Sequence, residues 1–188
     1  MTRQNLASPV KLSGTTPKGN DTRENSKALY TREERQRRDE SVWTIVQGVL
    51  APLQLLVFLV SLGLVIHTLT TGADAFAADA SIVLKTLVLY TIMVTGAIWE
   101  KAVFGRYLFA PAFFWEDVFS MLVLALHTLY LVMLFGGVGS VEARLAVALA
   151  AYAAYVINAG QFLLKLRAAR LDAAAKDQEQ QQQQAVPA

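Results

Sequence analysis

The chain contains no cysteine, only two histidines and few charged residues. The lack of cysteine excludes disulfide bonds, thiolate nucleophiles and thiolate metal sites. Charged residues occupy 17% of the 188 positions, whereas soluble domains usually carry about a quarter. The formal net charge of +2 gives little support to a nucleic-acid partner. This composition is typical of a protein embedded in a membrane.

The few charges are unevenly distributed along the chain. Nine of the 17 lysines and arginines precede Ser41, and four follow Leu164. Between them lie apolar stretches, and crossing the hydrocarbon of a bilayer takes about 20 such residues in a helix. The stretches that reach or nearly reach this length are 42–67, 81–99, 118–141 and 145–164. We therefore predict an all-α polytopic membrane protein with four transmembrane helices.

Basic residues beside the spans predict their orientation, because cytoplasmic loops are enriched in lysine and arginine. The segment before the first span and the tail after the fourth are both basic. The loop between the second and third spans holds Lys101 and Arg106, whereas residues 68–80, between the first two spans, hold neither lysine nor arginine. We expect both termini and the loop that carries Lys101 in the cytoplasm.

Composition divides the chain into four parts. Residues 1–28 are polar and are predicted to be a disordered extension. Residues 29–41 form a charged cytoplasmic segment that can fold as a short surface helix. The four-helix membrane domain covers 42–171, where Pro52 predicts a kink or a local break in the first span. A low-complexity tail with a glutamine run follows at 172–188.

The segment that joins the second and third spans has an unusual composition. It combines three carboxylates and two cations with seven aromatic residues: Trp99, Phe104, Tyr107, Phe109, Phe113, Phe114 and Trp115. An aromatic belt at the membrane interface explains the two tryptophans but not the five rings between them. The alternative is a binding site for a flat hydrophobic ligand with a polar edge.

The three carboxylates of this segment are candidates for acid–base chemistry. Glu100 ends the second span, and Glu116 and Asp117 begin the third. Acids at a helix N-terminus are favoured by the helix dipole, which explains Glu116 and Asp117 without a function but does not explain Glu100. Crowding and partial burial both favour the protonated form of a carboxyl group, so one of the three could serve as an acid.

Ionisable residues inside the spans form a second set of candidates. His127 lies 11 residues after Glu116, so the two share a face of the third span. A lone buried histidine is usually a hydrogen-bonded structural residue; the alternative is axial ligation of a chelated metal, such as the magnesium of a chlorin. Lys85 is near the outer end of the second span and is expected to extend to the surface.

The fourth span carries a polar stripe. Asn158, Gln161 and Lys165 follow helical spacing. Hydrogen bonding between helices is the expected role of this stripe, with Gln47 and Gln54 of the first span as partners.

Several of these stretches resemble the 3-vinyl bacteriochlorophyllide hydratase family. They are WTIVQGVLAPLQ at 43–54, IWEK at 98–101, FAPAFFWED at 109–117 and NAGQFLLK at 158–165. The resemblance implies an enzyme that adds water to the 3-vinyl group of a chlorophyllide-type pigment, giving a 3-(1-hydroxyethyl) group, during bacteriochlorophyll a biosynthesis. It implies the inner membrane of a phototrophic bacterium, a site near the cytoplasmic face, and the pigment and the lipid bilayer as partners.

The resemblance implies no cofactor, because magnesium belongs to the pigment, and it leaves room for other pigment-biosynthesis enzymes as partners. Hydration of a vinyl group needs an acid and a base. We expect Glu116 as the acid and Glu100 or Asp117 as the base. The expected substrate-binding residues are Trp99, Lys101, Arg106, Tyr107, Phe113, Phe114, Trp115, His127, Asn158 and Gln161. Lys101 and Arg106 would pair with the pigment's propionate, and His127 would bind its magnesium. The alternative function is a pigment carrier without chemistry.

Overall fold

The computed structural model describes residues 29–185, and within them the protein is a bundle of five helices. The helices are α1 (Arg32–Glu40), α2 (Val42–Thr71), α3 (Phe76–Phe104), α4 (Phe114–Gly136) and α5 (Val141–Ala185). Within the described residues, α2 to α5 are long and apolar enough to cross a membrane. The expectation of an all-α fold with four helices long and apolar enough to span a membrane is confirmed. The extension predicted at 1–28 and the last three residues of the tail lie outside the described residues.

The short helix α1 is closed at its start by a capping box. The Thr31 hydroxyl accepts a hydrogen bond from the Glu34 backbone N–H at 3.2 Å, and the Glu34 carboxylate accepts one from the Thr31 N–H at 2.8 Å. Two otherwise unpaired N–H groups are thereby satisfied. The chain turns at Ser41, whose extended backbone separates α1 from α2. The charged segment before the first span thus does fold as a short helix, as its sequence allows.

Glycine determines where the spans end. Gly72, Gly105 and Gly137 follow α2, α3 and α4, each with a positive φ that a residue without Cβ adopts easily. The third span consequently ends at Gly136, five residues before the predicted end, whereas α2 and α3 extend beyond their predicted bounds. Of the kink or local break that Pro52 predicts, the break is absent: α2 runs without interruption from Val42 to Thr71.

Helices α2 and α3 form one antiparallel pair, and α4 and α5 form the other. The two pairs meet in a core of Phe58, Val65, Ala78, Ile82, Tyr130, Leu145, Ala148, Ala151 and Tyr152. Small side chains on α5, such as Ala148 and Ala151, allow its backbone to approach the neighbouring helices closely.

Polar side chains tie the spans together, but with different partners from those predicted. Gln47 donates to the Thr95 hydroxyl at 2.8 Å, and Asn158 donates to the Ser120 hydroxyl at 2.8 Å. The prediction that Gln47 and Gln54 pair with the stripe on α5 is therefore wrong: Gln47 faces α3, and no described group lies within hydrogen-bonding distance of the Gln54 amide.

Lys85 does not reach the surface, and the corresponding prediction is wrong. The helix α3 begins at Phe76, so Lys85 lies in the third turn of the span rather than near its end. Its side chain points into the bundle between the buried residues Ile82 and Leu89 and is completely buried. Its Nζ lies 4.1 Å from the centroid of the Tyr155 ring.

The loop between α3 and α4 contains a backbone conformation that is unfavourable for its residue. Phe109 has a φ of 58°, where side chains with a Cβ are disfavoured. Its N–H donates to the Asp117 carboxylate at 2.7 Å. This hydrogen bond compensates for the strained conformation and holds the loop against the start of α4.

The strain at Phe109 predicts that the usual order of stability, alanine variant above glycine variant, is reversed at this position. Phe109→Ala and Phe109→Gly both remove the ring, but only glycine adopts the positive φ without strain. We expect the glycine variant to be more stable by about 1 kcal/mol. Thermal unfolding of both variants in the same detergent measures the difference, and an alanine variant of equal or greater stability would contradict the strain.

Candidate active site

Two buried carboxylic acids meet where α3 ends and α4 begins. Glu100 lies in the last turns of α3 and Asp117 in the first turn of α4, and they are 5% and 4% exposed. Their carboxyl groups lie within hydrogen-bonding reach of each other. Since a hydrogen bond between two carboxyl groups requires that one carry a proton, this geometry is suited to proton donation.

The loop backbone orients both acids. The Phe109 N–H donates to the Asp117 carboxylate at 2.7 Å, and the Ala110 N–H donates to the Glu100 carboxylate at 3.2 Å. Ala110 is completely buried, so at this residue the loop packs against the protein instead of being solvated. The acid pair and the loop therefore hold each other in position.

Glu116 lies beside the pair but has a different partner. Its carboxylate accepts a hydrogen bond from the Lys165 amine of α5 at 2.7 Å. Lys165 also donates to the Ala112 carbonyl. The Glu116 side chain is 7% exposed, so this ion pair lies largely out of contact with solvent.

The aromatic residues of the segment separate into two sets. Trp99, Phe104 and Phe113 pack on one another with ring centroids 5.7–5.8 Å apart, and Phe162 of α5 stacks on Phe113. The remaining four are exposed and form what we call the outer aromatic face: Tyr107, Phe109, Phe114 and Trp115. These four are the most exposed rings of the segment, so this face is accessible to a flat ligand without repacking of the protein.

Tyr30 belongs to the buried aromatic cluster and was not anticipated. Its ring stacks on Phe104 at 5.7 Å with an interplanar angle of 13°, and the Arg38 guanidinium lies 4.8 Å from its centroid. Burial raises the pKa of the Tyr30 hydroxyl, partly offset by Arg38. The capping box beside it was a signal for the start of α1, but nothing in the sequence links Tyr30 to a loop some 70 residues away.

The two cations of the segment, Lys101 and Arg106, differ in whether they are free to pair with a ligand. Lys101 donates to the Gly105 carbonyl at 2.8 Å and so caps the end of α3, and its Nζ lies 5.4 Å from the centroid of the Tyr107 ring. The Arg106 side chain is exposed beside the outer aromatic face. Arg106 is therefore the cation that can reach an anionic group on a ligand at this face.

The polar residues of the spans lie deeper than the acids. His127 is completely buried, ten residues after Asp117, which is about 15 Å along α4. Its Nδ1 bonds to the Val123 carbonyl at 2.8 Å, so the proton is on Nδ1 and Nε2 carries a lone pair. Asn158 is closer to the acids, through Ser120 one turn from Asp117. The structure thus brings the three acids together but leaves His127 apart from them.

Comparison with known proteins identifies the family. A family model described as 2-vinyl bacteriochlorophyllide hydratase matches residues 30–168. The protein of that name from Cereibacter sphaeroides is 68% identical over 144 residues, covering 77% of this chain and 89% of its own length. The protein of that name from Rhodobacter capsulatus is 67% identical over 151 residues, covering 80% and 88%. No solved structure matches the chain significantly.

The matched residues include α2 to α4, most of α5 up to residue 168, and the whole loop that holds the acid pair. The family named here differs from the one that the sequence resembles only in numbering the vinyl position 2 instead of 3. A match over three quarters of the chain that contains every residue of the acid cluster shows that the chain belongs to the 2-vinyl bacteriochlorophyllide hydratase family.

Proposed function

We propose that the chain hydrates the vinyl group of a bacteriochlorophyllide-type pigment to a 1-hydroxyethyl group. The observation that carries this proposal is the buried Glu100–Asp117 pair in a chain whose relatives are named vinyl bacteriochlorophyllide hydratases. A protein that only carried a pigment would have no use for two acids in hydrogen-bonding reach of each other.

The reaction balances with a proton donor, a proton acceptor and one water molecule. The donor gives a proton to the terminal vinyl carbon, which forms a C–H bond and leaves a cation that the conjugated ring delocalises. Water then forms a C–O bond to the inner carbon while the acceptor takes one of its protons. Return of that proton to the donor completes the cycle. Addition of water leaves the overall oxidation state of the pigment unchanged, so the reaction needs no redox cofactor.

The contacts favour Glu100 and Asp117 together as the proton donor. A pair of carboxyl groups that share a proton titrates as one unit, so the proton belongs to the pair rather than to either residue. Burial and the two backbone N–H donors hold the pair in a fixed position beneath the loop. Preorganisation of this kind reduces the reorganisation required during proton transfer.

Glu116 is then the proton acceptor, which reverses the roles expected from the sequence. The Glu116 carboxylate already accepts a hydrogen bond from the Lys165 ammonium at 2.7 Å, a contact that suits a proton acceptor better than a donor. Glu116 precedes Asp117 directly in the chain, so acceptor and donor lie on adjacent residues of α4. A vinyl group beside this turn of α4 would lie between the two.

The outer aromatic face supplies a surface for the pigment ring. Ring stacking on Phe114 and Trp115 next to Glu116 would bring the edge of the macrocycle to the acids. Arg106 would pair with the propionate of the pigment. His127 is about 15 Å from the acid pair along α4, farther than the centre of a tetrapyrrole lies from its edge. We therefore assign His127 no role as ligand to the magnesium of a reacting pigment.

We further propose that both termini and the acid cluster face the cytoplasm across the inner membrane of a phototrophic bacterium. Basic residues flank the bundle at α1, at Lys101 and Arg106, and after Leu164, and they are absent from 72–75. Such a distribution is typical of cytoplasmic loops and ends. Lipophilic pigment would then arrive at the acid cluster from the bilayer.

The proton-donor role predicts the behaviour of Glu100→Gln. Membranes containing this variant, incubated with the vinyl pigment in ¹⁸O-labelled water, should form labelled hydroxyethyl product about 100- to 10,000-fold more slowly than wild type. Pigment binding should be retained, because the outer aromatic face is unchanged. Glu142→Gln is the matched control, since Glu142 is exposed at the opposite end of the bundle. Absence of labelled product with wild type would exclude the hydratase function itself.

The Glu116–Lys165 ion pair predicts a separation of stability from activity. Lys165→Met leaves a buried carboxylate unpaired and should lower the thermal midpoint. Adding Glu116→Gln removes the unpaired charge and should restore the midpoint. The double variant should nevertheless remain inactive, because it has no proton acceptor. Wild-type turnover by the double variant would show that Glu116 serves only the structure.

The lack of cysteine makes the orientation simple to test. Ala73→Cys and Pro111→Cys introduce single thiols into the α2–α3 and α3–α4 loops. In intact spheroplasts, a membrane-impermeant maleimide should label residue 73 and not residue 111. The opposite pattern should appear in inside-out vesicles. Labelling of both from one side would contradict the proposed topology.

A further inference from the structure

A line of buried polar atoms runs through the bundle interior away from the acid pair. The side chains of Gln54, Lys85 and His127 are 2%, 0% and 0% exposed. Within the described part of the chain, neither the Gln54 amide, nor Lys85 Nζ, nor His127 Nε2 has a hydrogen-bond partner. The same is true of Asn158 Oδ1 and Gln161 Oε1.

Aromatic rings surround the deepest of these groups. Lys85 Nζ lies 4.1 Å from the ring centroid of Tyr155, 5.3 Å from that of Tyr152 and 5.6 Å from that of Phe58. The centroid of the His127 ring lies 5.9 Å from that of Tyr152, one of the three rings around Lys85. The rings supply favourable faces to an N–H donor but accept no ordinary hydrogen bond.

Contacts between α4 and α5 give the order of these groups along the bundle. His127 lies level with Tyr152, Asn158 bonds to Ser120, and Lys165 pairs with Glu116. Gln161 therefore lies between Asn158 and the acid cluster. From Tyr152 to Gln161 the distance along α5 is about 14 Å. These groups therefore follow one another along α4 and α5 toward Glu116.

The chemistry of these atoms selects the ligand that would satisfy them. Lys85 offers N–H donors, whereas His127 Nε2, Asn158 Oδ1 and Gln161 Oε1 are acceptors. A cation would suit the acceptors but not Lys85, and an anion would suit Lys85 but not the acceptors. Water both donates and accepts, and it is the usual partner of buried polar groups that lack one in the protein.

We propose that internal water molecules form a file from Lys85 past His127 and Asn158 to the acid cluster, and that this file supplies the water consumed in hydration. The claim that the file supplies the water for hydration rests on the proposed function. A flat pigment on the outer aromatic face would cover the acids from one side. The cluster of Tyr30, Val103 and Phe113 packs around the neighbouring loop. Water then reaches Glu116 from the bundle interior.

Radiolytic labelling tests the file without reference to catalysis. Brief X-ray exposure of the purified protein generates hydroxyl radicals from bound water and oxidises adjacent side chains, even buried ones. Tyr155 and Phe58 should be modified in wild type, and Lys85→Met should reduce this modification at least about fivefold, since the variant loses the ammonium donor that the rings surround. Modification of exposed Tyr107 should be unchanged. An unmodified Phe58 and Tyr155 in wild type would overturn the proposal.

Thr86→Val provides a matched control for the labelling. Thr86 is completely buried beside Lys85, but its hydroxyl already donates to the Ile82 carbonyl within α3. The Thr86→Val variant should therefore show the same modification of Phe58 and Tyr155 as wild type. Gln54→Leu is a second test variant if Lys85→Met does not fold, and it should also reduce the modification. Undiminished modification in these test variants would overturn the assignment of the file to these residues.

Kinetics test the supply of water separately. Lys85→Met should lower kcat by about five- to tenfold while the KM for the pigment stays unchanged, because the pigment lies elsewhere. Thr86→Val should keep both constants. An unchanged kcat in Lys85→Met would overturn the supply role. If wild type itself formed no hydroxyethyl product, the hydratase function would fall, and the labelling would still decide whether the file exists.

Discussion

A polar group inside a bilayer has no bulk water to bond, and this constraint governs the whole molecule. The backbone meets it by forming helices, which satisfy their own N–H and C=O groups. Side-chain hydroxyls meet it locally: Thr86, Thr91 and Thr128 each donate to a carbonyl four residues earlier. Larger polar side chains need partners on other helices, and these partnerships determine how the spans pack.

The acid cluster is the most elaborate response to this constraint. Glu100 and Asp117 belong to consecutive helices, and each receives an N–H from the loop that joins them. The loop must adopt a positive φ at Phe109 to make these bonds. The structure thus accepts local backbone strain to hold two acids together out of water, and strained backbone of this kind concentrates at functional sites.

Residue chemistry alone predicted that Glu100, Glu116 and Asp117 lie near one another, but not how they pair. The three acids were recognised because carboxylates at span ends are costly and therefore noteworthy. The partners of these acids were not recognised, because Lys165 comes from α5 and lies about 50 residues from Glu116 in the chain. Likewise, seven aromatic residues in one segment indicated a binding surface, yet only packing against Tyr30 and Phe162 separates the buried rings from the exposed ones.

The sequence by itself determined the number of spans, their helical structure and the segment that carries the acids. These follow from hydrophobicity and from residue type, which act locally and need no knowledge of distant contacts. Only the tertiary structure decided the partner of each polar group. Lys85 illustrates the reason: its direction depends on where α3 begins and on the rings of Phe58 and Tyr155 from two other helices. Contacts between helices depend on rotation and register, which hydropathy does not encode.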